Sequence, residues 1–502
     1  MSRQIQQAFD KFHQARRDFV QATADFASKP ENITKLMELN VLALLRPLLL
    51  DIVPSIQQYA ALCLGRLAEY SEHIAQQIVK ALILPEIVAG LSSPDHYYNR
   101  HTCFVIRAIA KHSATLAQAT VDAGCLCPLV QCLQATDERV CEEAAHALGF
   151  IASHSESLAK AVVDSGAIPN LMISVKSKSV TLRRLAVASL GDIAQHSPEL
   201  AEEIIKEGAI SIIAPLLKVT DSKLKACVCS TLAHVAKHNV SSAQLVIEGN
   251  IFPNCLKCLG DSSANVRRCA SSLVREIAKH TQDQAQLIVD NGGAAALVDF
   301  LRPERENDPL NAVLAIGFIS CFSQSLATAM INEDAHTVLV NVFQTTQKDH
   351  VKADTAWALG QLGKHSPEHA SHLTRLSVLE LLLESYLNTS SSDDLKLRSK
   401  RAMKLIIEKC AEIEALQPLI ERSPDNILTA VLAQISKLLP KNPKARVPFM
   451  TSGGFQAVQR IQAPAGSKMR EYIDAINSCY PDQAVRYHSP QYPEAILAEV
   501  EA

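Results

Sequence analysis

The chain has 502 residues, of which 48% are hydrophobic and 20% charged, and its formal net charge is -3. This length exceeds what one compact core supports, so several domains or an extended repeat array is expected. The near-neutral charge gives no overall field that would attract nucleic acid, and no long uninterrupted apolar run predicts a membrane span.

Residues 1–28 predict an N-terminal capping helix, with an amphipathic pattern over residues 3–27. Large apolar side chains fall near one side of this helix, and arginine and aspartate fall on the other. We expect the apolar side to cover the first exposed face of the region that follows. The alternative is a helix on a membrane surface, which the mixed sign of the charges disfavours. The apolar residues are Ile5, Phe9, Phe12, Phe19 and Phe26.

Residues 29–408 predict a repeat array. One column of residues sets its period, and columns of leucine, isoleucine and alanine keep the same register. A further column holds Gly, Asn or Asp, the residues that best tolerate the positive φ of a tight turn. The column that sets the period is Tyr70, His112, His154, His196, His238, His280 and Phe322, spaced by 42 residues, and then His365 after 43. The turn column is Asn40, Gly124, Gly166, Gly208, Asn250, Gly292 and Asp334.

Each repeat divides into three predicted helices, as the unit between His196 and His238 illustrates. A short first helix opens at Ser197 and ends at Gly208, the segment AISIIAPLLKV forms the second, and Asp221 caps the third. One such unit cannot bury its apolar faces alone, so neighbouring units must stack. This pattern resembles the armadillo repeat. We therefore predict an all-α, right-handed superhelical armadillo solenoid with three helices per repeat of about 42 residues.

The register loosens beyond His365. Residues 409–465 predict a degenerate C-terminal repeat, and residues 466–502 predict a C-terminal helix, from Lys468 to Ser478, and a tail. The tail from residue 480 to 493 contains three prolines and is expected to be extended. It either packs on the last repeat or docks into a partner.

Several residue patterns that suggest chemistry are better explained by structure. Successive members of the histidine column lie one repeat apart, roughly 10 Å, which is too far to share a metal ion. We expect each histidine to end a third helix and to bond its last carbonyls. No phosphate loop, dinucleotide fingerprint or nucleophile elbow is present, so we predict no catalytic residue, cofactor or metal site. The cysteines Cys125, Cys127, Cys132, Cys255 and Cys258 are expected to be core thiols in a reducing compartment.

Basic residues early in the third helices are the more informative charges. Matching positions of three consecutive repeats hold Arg or Lys, and a later repeat adds another. These residues are either ordinary solvated helix ends or a basic stripe that receives an acidic segment. The candidate stripe is Arg183, Arg184, Lys225, Arg267, Arg268 and Lys352. Trp357 is the only tryptophan, so the chain lacks the tryptophan ladder of nuclear-import armadillo receptors.

The segments TAWALGQLGKHSPEHA, TSGGFQAVQRIQAPAGS and SCYPDQAVRYHSP resemble the sperm-associated antigen six family, and the resemblance runs from about Gln6 to Leu497. That family comprises armadillo-repeat proteins of the central apparatus in motile cilia and flagella. The resemblance implies a non-enzymatic cytoskeletal scaffold of the axonemal central pair that is needed for motility. It implies other central-apparatus proteins, copies of the chain itself and tubulin as partners, with acidic tubulin tails on the basic stripe, and neither nucleic acid nor membrane. The alternative is a soluble armadillo adaptor that binds acidic peptide segments in its concave groove.

Overall fold

The computed structural model describes residues 2–302 and 307–489, which contain helices and no strand. The chain forms two units, residues 1–258 and 259–502. Each unit is a succession of short helices whose order follows the repeat that the sequence predicts. We call the three helices of a repeat the first, second and third helix.

Unit 1 begins with one long helix and continues with helix triplets. The first helices are α2, α5, α8, α11, α14 and α17, and the third helices are α4, α7, α10, α13 and α16. The bounds are α1 (Ser2–Phe26), α2 (Pro30–Glu38), α3 (Val41–Leu45), α4 (Pro54–Tyr70), α5 (Glu72–Lys80), α6 (Leu84–Gly90), α7 (His96–Ala110), α8 (Ala114–Asp122), α9 (Leu126–Cys132), α10 (Glu138–Ser153), α11 (Glu156–Asp164), α12 (Ala167–Val175), α13 (Val180–Ala194), α14 (Pro198–Lys206), α15 (Ala209–Ile213), α16 (Ser222–Ala236), α17 (Val240–Glu248) and α18 (Asn254–Cys258).

The third helices carry the core of unit 1. Each third helix packs against the next one along the chain, and α1 packs against α4. Leu190 on α13 is fully buried, as are its counterparts in the leucine column, Leu64 and Leu148. Helices α13 and α16 approach closely at Gly191, because glycine has no side chain. A Cβ added there would lie only 2.6 Å from Oγ1 of Thr231. The sequence columns therefore mark the contacts between repeats.

The unit between His196 and His238 follows the prediction, apart from its second helix. Ser197 accepts a hydrogen bond from the backbone N–H of Leu200, and Asp221 caps the third helix in the same way. The segment predicted as one second helix is an α-helix only to Ile213 and continues as a 3-10 helix, Ala214–Lys218. Pro215 explains the change, since it has no N–H to donate to the preceding turn.

The turn column is confirmed by the backbone. Each of its residues has a positive φ, and the column also includes two residues that the sequence did not reveal, Leu82 and Ser377, with φ of 54° and 53°. In the C-terminal part Gly453, not Gly454, takes this conformation, with φ of 89°. The column residues are Asn40, Gly124, Gly166, Gly208, Asn250, Gly292 and Asp334, with φ between 54° and 84°.

Unit 2 has the same order of helices over its described residues. Its third helices are α19, α22, α25 and α28, and successive ones pack together. The bounds are α19 (Ala264–Ala278), α20 (Gln282–Asp290), α21 (Gly293–Leu301), α22 (Leu310–Phe322), α23 (Gln324–Asn332), α24 (Ala335–Thr345), α25 (Asp349–Gly363), α26 (Pro367–Thr374), α27 (Val378–Leu387), α28 (Asp393–Lys409), α29 (Ile413–Arg422), α30 (Asp425–Lys441), α31 (Pro443–Thr451), α32 (Gly454–Gln459), α33 (Lys468–Asn477) and α34 (Asp482–His488).

The C-terminal end is more regular than expected. Helix α30 packs between α28 and α33, so it takes the place of a third helix, and α29 packs on α27 as a second helix does. The extended tail expected from residue 480 is wrong for Asp482–His488, which form α34. Pro481 precedes this helix in extended conformation, where a proline starts a helix without losing a hydrogen bond. Residues 490–493 of that tail lie outside the described residues, and the boundaries at 28, 408 and 465 remain predictions.

The N-terminal helix is present, but it is oriented differently from the expectation. Its small buried residues Val20 and Ala24 face the protein, whereas Phe9 and Phe12 are 61% and 58% exposed. The apolar side that was expected to cover the first repeat therefore faces solvent. Charge explains part of this orientation, because Arg16 forms an ion pair with the buried carboxylate of Asp51.

Candidate interaction surface on the third helices

The third helices of unit 1 leave one stripe of side chains only half buried. The stripe includes Phe104 and Arg107 on α7 with Lys111 directly after it, and His146 and Phe150 on α10. Members of the stripe lie three or four residues apart, so they share one side of each helix. Much of the rest of these helices is packed against other helices, so this stripe is a candidate surface for a partner.

A network of ion pairs crosses this stripe between repeats. Arg107 on α7 bonds Glu69 on α4 at 3.0 Å and Glu143 on α10 at 2.8 Å, and Lys111 bonds Glu69 at 3.1 Å. Burial tends to raise the pKa of Glu69, but Arg107 and Lys111 outweigh it and lower that pKa. At Glu143 burial dominates over Arg107 and raises the pKa. These charges are thus used to hold successive repeats together.

The middle of the stripe is a weakly charged patch. The imidazole of His146 stacks on the ring of Phe150 with centroids 4.6 Å apart. Burial, assisted by the charge of Arg107, lowers the pKa of His146 to about 4. Burial raises the pKa of Asp192 on α13 to about 7. Near neutral pH this part of the surface therefore presents a neutral imidazole and a carboxyl group that is only partly ionised.

Sequence reasoning missed this patch. Its residues occupy columns whose members differ in type from repeat to repeat, so no shared pattern marks them. The property that singles them out is burial by neighbouring helices. A sequence signal that could have found them is the pair His146 and Phe150, one helical turn apart on a third helix.

The histidine column joins successive repeats. Five of its histidines use Nε2 to donate to a backbone carbonyl near the end of the third helix of the preceding repeat, not of their own helix as expected. This bond links two neighbouring third helices and also satisfies a helix-end carbonyl. We call it the histidine clamp. The Nε2–O distances are 2.7 Å for His112 to Ala68, 2.6 Å for His154 to Ala110, 2.8 Å for His196 to Ala152, 2.7 Å for His238 to Ala194 and, in unit 2, 2.7 Å for His365 to Ser320.

Unit 1 brings three residues of the candidate basic stripe onto adjacent helices. Arg183 and Arg184 lie on α13 and Lys225 on α16, and all three are half buried. The Nε of Arg183 is buried without a hydrogen-bond partner among the described residues. The three cations therefore lie at the N-terminal ends of two packed helices, and their role as a binding stripe stays a prediction.

In unit 2 the stripe residues differ in their surroundings. Arg267 donates to Oδ1 of Asn307 at 2.6 Å and to two backbone carbonyls, which ties it to the loops around its helix. Arg268 is exposed and donates a hydrogen bond of 2.9 Å to Oδ1 of Asn265 on its own helix. Lys352 is half buried on α25, with α22 between it and α19. Of these residues, Arg268 is best placed to meet a partner.

A cavity of about 500 Å³ opens beside the tryptophan of unit 2. The indole of Trp357 packs edge-on against Phe318 with centroids 5.1 Å apart. Arg398 in the cavity wall bonds Asp354 and Asp394, and Arg401 beside it is exposed. The wall thus combines an aromatic face with cations. The lining residues are Trp357, Gln361, Asp394, Arg398, Arg401, Ala402 and Leu405.

Other kinds of site find little support in the described ranges, 2–302 and 307–489. They contain no cluster of three or more His, Cys, Asp or Glu side chains that could hold a metal ion. No single helix there is long and apolar enough to cross a membrane, and only the pair α11 and α12, bent by 82°, passes that test when taken together. Cys125, Cys132, Cys255 and Cys258 are buried as predicted, but Cys127 is exposed, so its assignment to the core was wrong.

Comparison with known proteins shows which repeat models and which relatives this chain resembles. The armadillo/β-catenin-like repeat model matches residues 115–153, and the HEAT repeat model matches residues 251–281. The chain is 49% identical over 155 residues to human sperm-associated antigen 6 and equally to the mouse protein. These matches cover 31% of the chain and 30% and 31% of the two relatives.

The crystal structure of an engineered protein also superimposes on the chain, with a TM-score of 0.70, 23% identity and coverage of 87% of this chain and 98% of that one. This likeness bears on the fold alone. Together with the helix triplets and the repeat matches, it confirms the predicted fold class. The chain is an all-α armadillo-type repeat protein that resembles sperm-associated antigen 6.

Proposed function

We propose that the chain is a non-enzymatic structural scaffold of the axonemal central-pair apparatus in cilia or flagella. In this role it links central-apparatus proteins and microtubules and is needed for motility. The segment that is 49% identical to proteins named sperm-associated antigen 6 supports the assignment. Because that segment covers less than a third of those relatives, the location and the partners are part of the proposal.

The observation that carries the scaffold role is the bracing between repeats. In unit 1, four successive histidine clamps and the ion pairs of Arg107 connect third helices across repeats. An array in which each repeat contacts only its neighbours gains stiffness from such bonds at every interface. A stiff array keeps attached partners at fixed spacing, which a structural scaffold requires.

Microtubules are the partner that the basic residues favour. Acidic tubulin tails would be attracted to exposed cations, and this attraction weakens as salt is added. Arg184 and Arg268 are the members of the candidate stripe that we expect to contribute most. Each lies on a third helix, and neither forms an ion pair with a carboxylate in the described part of the chain.

Co-sedimentation with microtubules tests this proposal. We expect the purified chain to pellet with intact microtubules at low salt, and to pellet less with microtubules whose acidic tails have been removed by protease. Arg184→Glu and Arg268→Glu should each weaken pelleting. Arg375→Glu is the matched control, since Arg375 is exposed but lies after a first helix. If the chain fails to pellet, or if tail removal and the charge reversals have no effect, direct tail binding is wrong.

A peptide-binding adaptor is the second candidate, and the cavity beside Trp357 favours it. An indole face with Arg398 and Arg401 nearby would suit a segment that carries acidic and apolar residues. Titration with acidic peptides distinguishes the two roles. A soluble monomer that binds one peptide, and loses it in Arg401→Glu, supports the adaptor, whereas repeated copies along an axonemal microtubule support the scaffold.

A further inference from the structure

Much of α1 has no packing partner among the residues that the structure describes. Helix α1 is seated on α4 through its C-terminal third, where Val20 and Ala24 are buried. Every residue from Arg3 to Phe12 is exposed. A helical segment this short is only marginally stable in water without packing. This part of α1 is therefore free to pack against a further surface.

The exposed residues of α1 form a heptad seam. One column recurs every seven residues and contains large apolar side chains, and a second column, three residues later, contains alanine. A strict seven-residue spacing over three heptads is typical of a helix that pairs with another helix in a coiled coil. The first column is Ile5, Phe12, Phe19 and Phe26, between 39% and 61% exposed with Phe9 beside them, and the second is Ala8, Ala15 and Ala22, all exposed.

Side-chain size favours an antiparallel pair of identical helices. In an antiparallel pair the two columns face each other, so that Phe12 of one copy meets Ala15 of the other and Ile5 meets Ala22. Each layer then joins a large side chain to a small one. A parallel pair would instead stack Phe12 on Phe12 and Ala15 on Ala15, which alternates crowded layers with empty ones.

Charge favours the same orientation. Antiparallel pairing brings Lys11 of one copy beside Asp18 of the other, and the two-fold symmetry makes this contact twice. Both residues are exposed, and neither forms an ion pair within the described residues. Parallel pairing would bring Lys11 beside Arg16 of the second copy, and like charges at such a position repel.

We propose that α1 binds α1 of a second copy of this chain as an antiparallel helix pair. The pairing buries the seam formed by Ile5, Phe12 and Phe19 and leaves the face with Val20 and Ala24 on its own α4. The proposed function includes contacts between copies of this chain, and the α1 pair supplies the surface for such a contact. In that respect the pairing rests on the proposed function. Its physical basis is α1 alone, so either proposal can fail without the other.

Analytical ultracentrifugation of the full chain tests the pairing. We expect a concentration-dependent dimer for the wild type and a monomer for Phe12→Glu combined with Phe19→Glu. Both substituted side chains are exposed, and the circular dichroism spectrum checks that the array stays folded. Ile173→Glu is the matched control and should remain dimeric, since Ile173 is 66% exposed but lies on α12.

Exchanging the charges of Lys11 and Asp18 tests whether the two α1 helices are antiparallel. Lys11→Asp should weaken the antiparallel dimer about tenfold, because it replaces two attractions with two repulsions. Combining Lys11→Asp with Asp18→Lys restores both attractions and should return the dissociation constant to near the wild-type value. A parallel dimer would respond oppositely, since Lys11→Asp would remove the repulsion with Arg16 and tighten it.

Three results would overturn the proposal. The first is a wild-type chain that stays monomeric at every concentration, and the second is a dimer that the paired glutamate substitutions leave intact or that Lys11→Asp tightens. The third is a monomer that floats with vesicles of phosphatidylcholine and phosphatidylserine and no longer does so after Phe12→Glu, which would make α1 a membrane-surface helix. A chain that remains monomeric but pellets with microtubules refutes the pairing and leaves the proposed function standing.

Discussion

The histidine clamp gives a prediction whose size follows from the structure. His154→Ala removes a 2.6 Å bond to the carbonyl of Ala110, and Ala110 is completely buried. A buried carbonyl that loses its partner costs about 1–3 kcal/mol, and the lost packing of a half-buried ring adds to this. We expect His154→Ala to lower the free energy of unfolding by about 2–3 kcal/mol.

Urea denaturation followed by circular dichroism measures this effect. The midpoint should fall while the slope of the transition stays constant, which would show that stability and not compactness has changed. His73→Ala is the control, because His73 is exposed on α5 and its removal should alter stability by no more than about 0.5 kcal/mol. An equal effect of the two substitutions would refute the clamp.

Combining clamps gives a stricter test of the same reasoning. His112 joins α7 to α4 and His196 joins α13 to α10, so these two clamps share no helix and their costs should add within about 0.5 kcal/mol. His112 and His154 both involve the end of α7, so their costs should deviate from additivity. If the two double variants behave alike, the clamps do not act through the helices to which we assign them.

Three further predictions concern α13. Leu190→Ala should destabilise unit 1 by about 2–5 kcal/mol in thermal or urea unfolding, because it opens a cavity at a fully buried position. Gly191→Ala should cost about 1–3 kcal/mol by forcing α13 away from Thr231, whereas Gly166→Ala, which has open space around its φ of 80°, should cost only about 1 kcal/mol of backbone strain. Asp192→Asn should match the wild type near pH 4 and be more stable at pH 8 by an amount on the order of a few kcal/mol. Its folded-state pKa of about 7 makes the wild type lose stability as the pH rises through the window from about 4 to 7, and equal pH profiles would contradict this.

The repeat, its three helices and its turns could be predicted because the same local requirement recurs in every repeat. Gly124, Gly166 and Gly208 mark a positive φ, which few other residues adopt. Leu82 and Ser377 were missed since their types give no such signal, and packing around the turn imposes the conformation. The 3-10 helix after Ile213 follows from Pro215 and could have been predicted.

Contacts between repeats were harder to predict than the repeats themselves. The histidines were expected to bond their own helix, because a one-dimensional sequence shows the end of that helix and not the carbonyl about 44 residues earlier. The weakly charged patch of His146 and Asp192 likewise depends on burial by neighbouring helices. The orientation of α1 was wrong for a related reason: an amphipathic pattern identifies an apolar face, but it does not say whether that face is covered by its own chain or by another.

The distribution of exposed apolar side chains indicates how unit 1 can act as a scaffold. Many polar side chains on its third helices bond to neighbouring repeats, as the histidine clamps and the ion pairs of Arg107 show. The large exposed apolar residues are instead concentrated in α1 and in the segment before α4, where Ile52 is 83% and Leu50 66% exposed. Since apolar burial supplies most of the free energy of association, a strong contact is expected at this end and weaker, salt-sensitive contacts along the third helices. Raising the salt concentration should therefore release microtubules from the chain well before it separates the α1 pair.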